Sequence, residues 1–142
     1  ARCDLALCVP RLLASRLALR RADGAKLLGD SVDFGLRRRR GWRAFDGFSQ
    51  TAELSLYVHN DYRGQGIGRA LLRHLIEAAR AQGLHVLVAG IEAQNNPSLG
   101  LHISLGFTET ARMPQVGKKF GRWLDLVFLQ KQLDPRETAE GI

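Results

Sequence analysis

A chain of 142 residues with 45% hydrophobic content has the size of one domain and enough apolar residues for a core. It has no run of about 18 apolar residues, which argues against a transmembrane helix, and its 2 cysteines and 4 histidines lack zinc-binding spacing. The net charge of +7 comes from residues 1–43, which hold 11 of the 21 basic and 4 of the 14 acidic residues. We therefore expect no metal, no membrane partner and, with so few cysteines, a reducing cytoplasmic location.

Residues 1–41 differ in composition from the rest of the chain. They contain 9 Arg, 9 Leu and 6 Ala but no Glu, Ile, Asn, Thr, Tyr, His or Met, and globular segments rarely omit so many residue types. Nucleic-acid binding is not favoured, because the segment has one aromatic residue, Phe34, for base stacking. An Arg, Leu and Ala bias is typical of a GC-rich gene read in the wrong frame. We therefore interpret 1–41 as a frameshifted or otherwise misassigned segment.

A strand, a helix and a second strand follow in the middle of the chain. Residues 52–58 alternate apolar and polar residues, which predicts a strand that ends at the turn formers of "HNDYR". Residues 67–83 repeat apolar residues at helical spacing and end at a glycine, which predicts a helix. The apolar run at 84–91 is typical of a strand buried on both faces. This order favours a parallel strand pair with a right-handed crossover.

The C-terminal third predicts a short helix and a final strand. Asn95 or Asn96 can cap the helix, Pro97 suits its first turn, and Gly106 ends it. Alternation over 123–133 predicts the strand. The fold class is therefore α/β or α+β, with a mixed central sheet flanked by helices. We assign residues 42–134 to one domain and 135–142 to a tail.

The turn between the first predicted strand and helix, "YRGQGIGRALL", is rich in glycine. A glycine inside a helix costs about 1 kcal/mol relative to alanine, so three of them near a helix start need a reason. Unpaired N–H groups and the positive end of the helix dipole make such a start an anion site. We expect Gly64, Gly66 and Gly68 to let a phosphate approach the backbone, with Arg63 as a charge at the rim.

Two known nucleotide-binding motifs do not fit this turn. It lacks the Gly-Lys-Ser/Thr ending of a P-loop. The Rossmann pattern requires a further glycine where the chain has Arg69 and Leu71. A purely structural turn remains an alternative.

Several motifs resemble the GNAT superfamily of acetyl-CoA-dependent N-acetyltransferases. "RGQGIG", at 63–68, resembles the R/Q-x-x-G-x-G/A signature of that superfamily, and "NNPSLGLHISLGF" is similar to its second motif. "WRAFDGF", "AELSLYVH" and "VGKKFGRWLD" resemble the subgroup that acts on phosphinothricin, methionine sulfoximine and related amino acids. The resemblance covers residues 42 to about 134.

The resemblance implies acetyl-CoA as co-substrate. Its pyrophosphate would lie on the amides of the glycine turn, and its pantetheine arm would pair with the backbone at the end of the strand and with an asparagine side chain. The implied cofactor-binding residues are Tyr57, Val58, Arg63, Gly64, Gln65, Gly66, Ile67, Gly68, Arg69 and Asn95.

The resemblance also implies two catalytic residues. Glu53 stands at the position of the subgroup's strand glutamate, a general base that acts directly or through water. His102 stands where many relatives carry the tyrosine that protonates the departing thiolate. The alternatives are an outward-facing strand glutamate and a histidine that only packs or bonds to a carbonyl.

Three residues are candidates for binding the acceptor substrate. Arg43 would meet the carboxylate of an amino acid, and the loop "GKKFGRW" would close the pocket with Phe120 and Trp123. A surface arginine and two core aromatics are the alternatives.

The expected function is transfer of an acetyl group to the amino group of a small amino-acid-like substrate. The alternatives are a GNAT enzyme that acts on a protein N-terminus or another amine, and an inactive truncated form. A homodimer is left open. In the family, the region before residue 42 supplies a first strand, two helices and a hairpin. Residues 1–41 match none of these, so we expect them to pack poorly or irregularly against the rest of the chain.

Overall fold

The computed structural model describes residues 32–37, 46–58, 63–64 and 66–136. Within them the chain forms five strands, two α-helices and one 3-10 turn at Asp46–Phe48. The strands and helices, in chain order, are β1 (Val32–Arg37), β2 (Thr51–Val58), α1 (Ile67–Ala81), β3 (Val86–Glu92), α2 (Asn96–Ser104), β4 (Thr108–Lys119) and β5 (Arg122–Gln132).

The strands form one mixed sheet in the order β1-β2-β3-β5-β4. β2 and β3 are parallel, as expected for strands joined by a crossover helix, and the other neighbours are antiparallel. The mixed sheet flanked by helices that the sequence predicts is confirmed. The predicted elements over 52–58, 67–83, 84–91 and 123–133 correspond to β2, α1, β3 and β5 with ends shifted by one or two residues.

The hydrophobic core lies between α1 and one face of the sheet. α1 buries an apolar stripe at helical spacing, which includes Leu71, Leu72 and Leu75 with at most 1% of their surfaces exposed. The facing strand residues, such as Leu87 and Leu129, are fully buried. Each buried leucine side chain stabilises the fold by roughly 1.5–3 kcal/mol, so this layer holds α1 on the sheet. Side chains alternate along a strand, so every second residue points to the other face.

Two strands lie where the sequence predicts none. β1 pairs with β2 in an unbroken antiparallel register from Val32↔Val58 to Arg37↔Glu53, which contradicts the expectation of irregular packing for residues 32–37. The rest of that segment lies outside the described residues, and its interpretation as misassigned stays a prediction. β4 is almost wholly exposed, so its residues carry no alternating apolar pattern.

The segment "GKKFGRW" is a tight hairpin and not a loop. Lys119 pairs with Arg122, and the two turn residues, Phe120 and Gly121, both have a positive φ (49° and 71°), as a type I′ turn requires. Phe120 is 88% exposed and Trp123 64%, so the alternative that these aromatics belong to the core is wrong.

Candidate active site

The parallel strands β2 and β3 separate part-way along their length. Their pairing runs from Thr51↔Val86 to Leu54↔Ala89 and stops, although both strands continue. Among the described strands, none pairs with residues 55–58 on the side that faces β3. Backbone groups on that side are therefore available to an extended ligand, which would add to the sheet as a strand does.

Two adjoining cavities open where the strands separate. The Glu53 cavity, of about 300 Å³, contains Glu53 and His102, and the glycine-turn cavity, of about 560 Å³, contains the residues that begin α1. Leu56, Asn95 and Ser98 line both. The two cavities therefore adjoin, and we call them together the groove, which extends from the start of α1 to Glu53.

The glycine turn has the backbone geometry of an anion site. Gly64 and Gly66 have φ values of 75° and 78°, which L-residues with side chains rarely adopt, and a Cβ at either would have nothing within 4 Å. Gly66 is the N-cap of α1 and has no side chain that could accept from the first-turn amides. These amides therefore point at the cavity with the positive end of the helix dipole behind them.

The presence of glycine at position 68 has a different structural reason from that at positions 64 and 66. A Cβ there would lie 3.3 Å from Leu101 Cδ2 and 4.0 Å from Val58 Cγ2, so the glycine permits the close approach of α1 to α2. Packing of the two helices is therefore a reason for this glycine, which also lines the glycine-turn cavity. The expectation from the sequence did not separate these two causes.

Two arginines stand at the rim of the glycine-turn cavity. Arg63 Nε donates to the Val58 carbonyl over 3.0 Å, and Arg69 Nη2 donates to Ser104 Oγ over 3.0 Å. Both side chains are exposed, and each guanidinium has further N–H groups that can donate to a phosphate. These bonds hold two positive charges beside the helix start.

Asn95 caps α2 and also lines both cavities. Its Oδ1 accepts from the Ser98 amide over 3.3 Å and caps α2, which decides between the two capping candidates of the sequence. Because the oxygen serves the cap, the NH₂ group of the same side chain is the part that can donate to a ligand in the groove.

Glu53 lies half-buried on the face of the sheet opposite α1 and lines the smaller cavity. Its Oε1 lies 3.7 Å from the position that a Cβ of Gly90 would take. Glu92, two residues beyond Gly90 on the same face, lines the same cavity. Glu92 is not among the candidates that the sequence indicated, although a carboxylate directly after the apolar run at 84–91 was a usable signal.

His102 is buried, with 2% of its surface exposed, and lines the cavity with Glu53. Its Nδ1 lies 2.7 Å from the Ser98 carbonyl oxygen, which can only accept, so Nδ1 carries the hydrogen. Among the described residues Nε2 has no hydrogen-bond partner, and the ring edge packs against Phe107 at 5.2 Å between centroids. Burial lowers the pKa of His102, an effect that the Ser98 bond opposes. The imidazole is therefore neutral near pH 7, with a bare Nε2 that can accept a hydrogen bond.

The three predicted acceptor-binding residues are not brought together with Glu53 by the described structure. Arg43 lies outside the described residues, as does Gln65 of the glycine turn. Phe120 and Trp123 line neither cavity and lie at the β4–β5 turn. Over the described ranges, no group of three or more His, Cys, Asp or Glu side chains could hold a metal ion. In the same ranges, no helix combines the length and apolar character needed to cross a membrane.

Residues 35–107 match the family model of the acetyltransferase (GNAT) family. The chain belongs to the GNAT family. The match spans β2, the glycine turn, α1, β3 and α2, and it confirms the resemblance that the sequence motifs carry.

Relatives of this GNAT chain are named for acylation of amino acids. It is 62% identical over 101 residues to the L-amino acid N-acyltransferase MnaT of Escherichia coli, covering 71% of this chain and 59% of that protein. Over 99 residues it is 64% identical to the L-methionine sulfoximine/L-methionine sulfone acetyltransferase of Salmonella typhimurium, covering 70% of this chain and 58% of the relative. The chain therefore spans less than two thirds of the length of these relatives.

A solved structure that is similar to this chain contains acetyl-CoA. The acetyltransferase YncA of Salmonella typhimurium, solved with its cofactor acetyl-CoA, superposes with a TM-score of 0.69 at 56% identity. The match covers 78% of this chain and 61% of YncA.

Proposed function

We propose that the protein transfers an acetyl group from acetyl-CoA to the amino group of a small amino-acid-like substrate of the methionine sulfoximine type. The observation that carries the proposal is the pair of adjoining cavities that extends from the glycine turn at the start of α1 to Glu53. An anion site at one end and a proton acceptor at the other are what an acyl-CoA-dependent transfer to an amine requires. The names of the relatives support the substrate class.

The glycine-turn cavity fits the diphosphate of acetyl-CoA. The amides of residues 67–69 would donate to the phosphate oxygens, and Arg63 and Arg69 would add charge-assisted bonds. The pantetheine arm would lie along the β3-facing edge of residues 55–58, within reach of the Asn95 amide. This path ends at the Glu53 cavity, where the thioester would meet the amine.

Glu53 would act as the general base. Acetyl-CoA supplies a thioester carbonyl that an uncharged amine can attack. As the amine nitrogen bonds to the carbonyl carbon, Glu53 takes the proton that the nitrogen loses, and the carbon–sulfur bond then breaks. The thiolate of CoA leaves and takes up a proton from water. Glu53 then returns its proton to solvent, which completes the cycle.

The geometry of His102 favours an accepting role over the proton-donating role that the resemblance implies. Nδ1 is held by Ser98, and the bare Nε2 is the only part of the ring with a free lone pair. We propose that Nε2 accepts a hydrogen bond from the bound substrates inside the groove. A buried nitrogen without a hydrogen bond raises the free energy of the empty protein. A substrate group that donates a hydrogen bond to it would remove that cost.

The charge around the Glu53 cavity favours an amine as the acceptor. Glu53 and Glu92 both line it, and two carboxylates raise the local concentration of a positively charged amine. Recognition of the carboxylate of an amino acid by Arg43, closure by Phe120 and Trp123, and a homodimer stay predictions.

An acetylation screen tests the proposed function. The purified chain is incubated with acetyl-CoA and methionine sulfoximine, phosphinothricin, free amino acids or polyamines, and release of the CoA thiol is measured with a disulfide dye. Samples without acceptor correct for the reaction of the dye with the thiols of Cys3 and Cys8. We expect release that depends on an amino-acid acceptor, with the acetylated product seen by mass spectrometry. Release with none of these amines would contradict the proposal.

A further inference from the structure

Gly90 lies in the middle of β3, on the face of the sheet that looks away from α1. Its neighbours Ala89 and Ile91 point into the core and are 1% and 6% exposed, whereas Gly90 is exposed and lines the Glu53 cavity. It follows the last residue of β3 that pairs with β2, and it lies opposite Phe128 of β5. Gly90 therefore forms part of the floor of the groove where the parallel strands separate.

The backbone at this position does not require glycine. In the described part of the chain, the glycines with a positive φ are Gly64, Gly66, Gly83, Gly106 and Gly121. Gly90 is not among them, so its backbone lies in the range that any L-residue adopts in a strand. Glycine also weakens a strand interior, because it loses more conformational freedom on folding and packs no side chain.

Packing within the chain does not require glycine either. A Cβ built at this position would meet three side-chain atoms at ordinary van der Waals distances: Phe128 Cε1 at 3.5 Å, Leu126 Cδ1 at 3.6 Å and Glu53 Oε1 at 3.7 Å. At Gly68 a Cβ would come too close to the neighbouring helix. At Gly90, in contrast, there is room for the methyl group of an alanine.

We propose that Gly90 is a specificity-determining residue of the acceptor site. The carbon that is bonded to the acceptor amine packs against the backbone of Gly90. The size of the side chain at this position therefore limits which amines can react. A strand glycine that neither conformation nor packing explains marks a place where a ligand approaches the backbone closely. The inference rests on the proposed function, because it assigns a position to the acceptor of that reaction.

The position of Glu53 selects the acceptor, and not the acetyl donor, as the occupant. A general base lies within hydrogen-bond reach of the amine, and the carbon bonded to that amine is then about 3.6 Å from the accepting oxygen. A Cβ at Gly90 would lie 3.7 Å from Glu53 Oε1. The two carbons would therefore lie at the same distance from one carboxylate oxygen. The diphosphate end of the donor would lie in the glycine-turn cavity, which Gly90 does not line, so only the thioester of the donor would approach this part of the groove.

Two substitutions, Gly90→Ala and Gly90→Val, test this role by adding a methyl and an isopropyl group. Gly100→Ala is the matched control, since Gly100 is exposed on α2, has nothing within 4 Å of a built Cβ and lines neither cavity. For each purified protein, kcat and KM are measured with the best acceptor of the screen. Calorimetry gives the Kd of acetyl-CoA, and thermal unfolding gives the Tm.

We expect Gly90→Ala to raise the KM of the acceptor about tenfold or more, and Gly90→Val to raise it further, as one carbon does in a fitted pocket. The Kd of acetyl-CoA stays within about twofold of the wild-type value, and the Tm of Gly90→Ala does not fall, because alanine suits a strand at least as well as glycine. Gly100→Ala keeps the wild-type kinetics. If Gly90→Val unfolds, the kinetics of Gly90→Ala alone test the role of Gly90.

Equal acceptor kinetics in the wild type and Gly90→Ala would overturn the role of Gly90 and leave the proposed function intact. A loss that appears only as weaker acetyl-CoA binding would also overturn it, because the donor would then lie over Gly90. If the wild type acetylates no amine, the proposed function fails, and this inference fails with it. Wild-type activity therefore separates the two failures.

Discussion

Replacing Glu53 by Gln changes the chemistry of the groove and almost nothing of its shape. Gln keeps the length and the planar end of the side chain, so the half-buried position on β2 and the gap beside Gly90 persist. The amide cannot take up a proton from the amine. General-base catalysis contributes about 10²- to 10⁴-fold, which corresponds to about 2.7–5.5 kcal/mol of activation free energy. We expect kcat to fall by at least about 100-fold.

The affinity for acetyl-CoA separates this catalytic loss from a binding defect. Glu53 does not line the glycine-turn cavity, so the Kd of acetyl-CoA measured by calorimetry should change by less than about twofold. Thiol release at saturating acceptor, measured between about pH 5 and 9, gives kcat and its pH profile. A kcat within about threefold of the wild type, or an unchanged pH profile, would refute the assignment of Glu53 as the base.

Two further predictions concern the pH dependence of stability, measured by urea unfolding at a series of pH values. Burial lowers the pKa of His102, so below about pH 6.5 the unfolded chain binds a proton that the folded chain does not, and stability falls as the pH drops. His102→Gln should weaken that dependence, and an equal slope in both proteins would contradict it. The hydrogen bond from Arg136 holds the pKa of Asp134 well below its usual range, so its contribution is present above about pH 4 and is lost as the pH falls toward the folded pKa. Asp134→Asn should reduce the loss in this lower window only, and a change confined to neutral pH would be evidence against the Arg136 contact as its cause.

The elements around the glycine turn were predictable because local signals and packing agree there. The apolar spacing of α1 matches the stripe that it buries, and Gly83, with a φ of 72°, ends the helix as expected. The apolar run of β3 was recognisable as a strand, but its burial on both faces extends only to Ala89, because Gly90 is exposed on the face away from α1. Asn95 was recognisable as a cap because a short polar side chain and a following proline are the usual start of a helix.

The β4–β5 hairpin was not predictable from local pattern. β4 is exposed along nearly its whole length, and its register shifts twice against β5, so no alternation survives in the sequence. Gln115 takes a positive φ of 56°, and its amide donates to Asp125 Oδ1 over 2.9 Å. Phe120 occupies a position of the turn that usually holds Asn, Asp or Gly. Tertiary pairing decides these conformations.

In the candidate site, the residue types were predictable and their states were not. The sequence names His102, but the tautomer depends on the Ser98 carbonyl one turn earlier, and the bare Nε2 depends on how the ring is buried. Gly90 carries no signal until the neighbours of its absent Cβ are known. Sequence spacing finds which groups belong to a groove, whereas the depth and direction of each group follow from packing.

Binding of acetyl-CoA at the start of α1 is the central claim, and calorimetry with Gly66→Glu tests it most directly. The new carboxylate would stand where the phosphates lie, and facing like charges cost several kcal/mol, so we expect affinity to fall about 100-fold or more. Gly83→Glu is the control, because it adds the same charge at a glycine with a similar φ (72°), also with nothing within 4 Å of a built Cβ, and Gly83 lines neither cavity. Thermal unfolding verifies that both variants are folded. We expect wild-type affinity in Gly83→Glu and its loss in Gly66→Glu, and equal affinity in all three proteins would contradict the site.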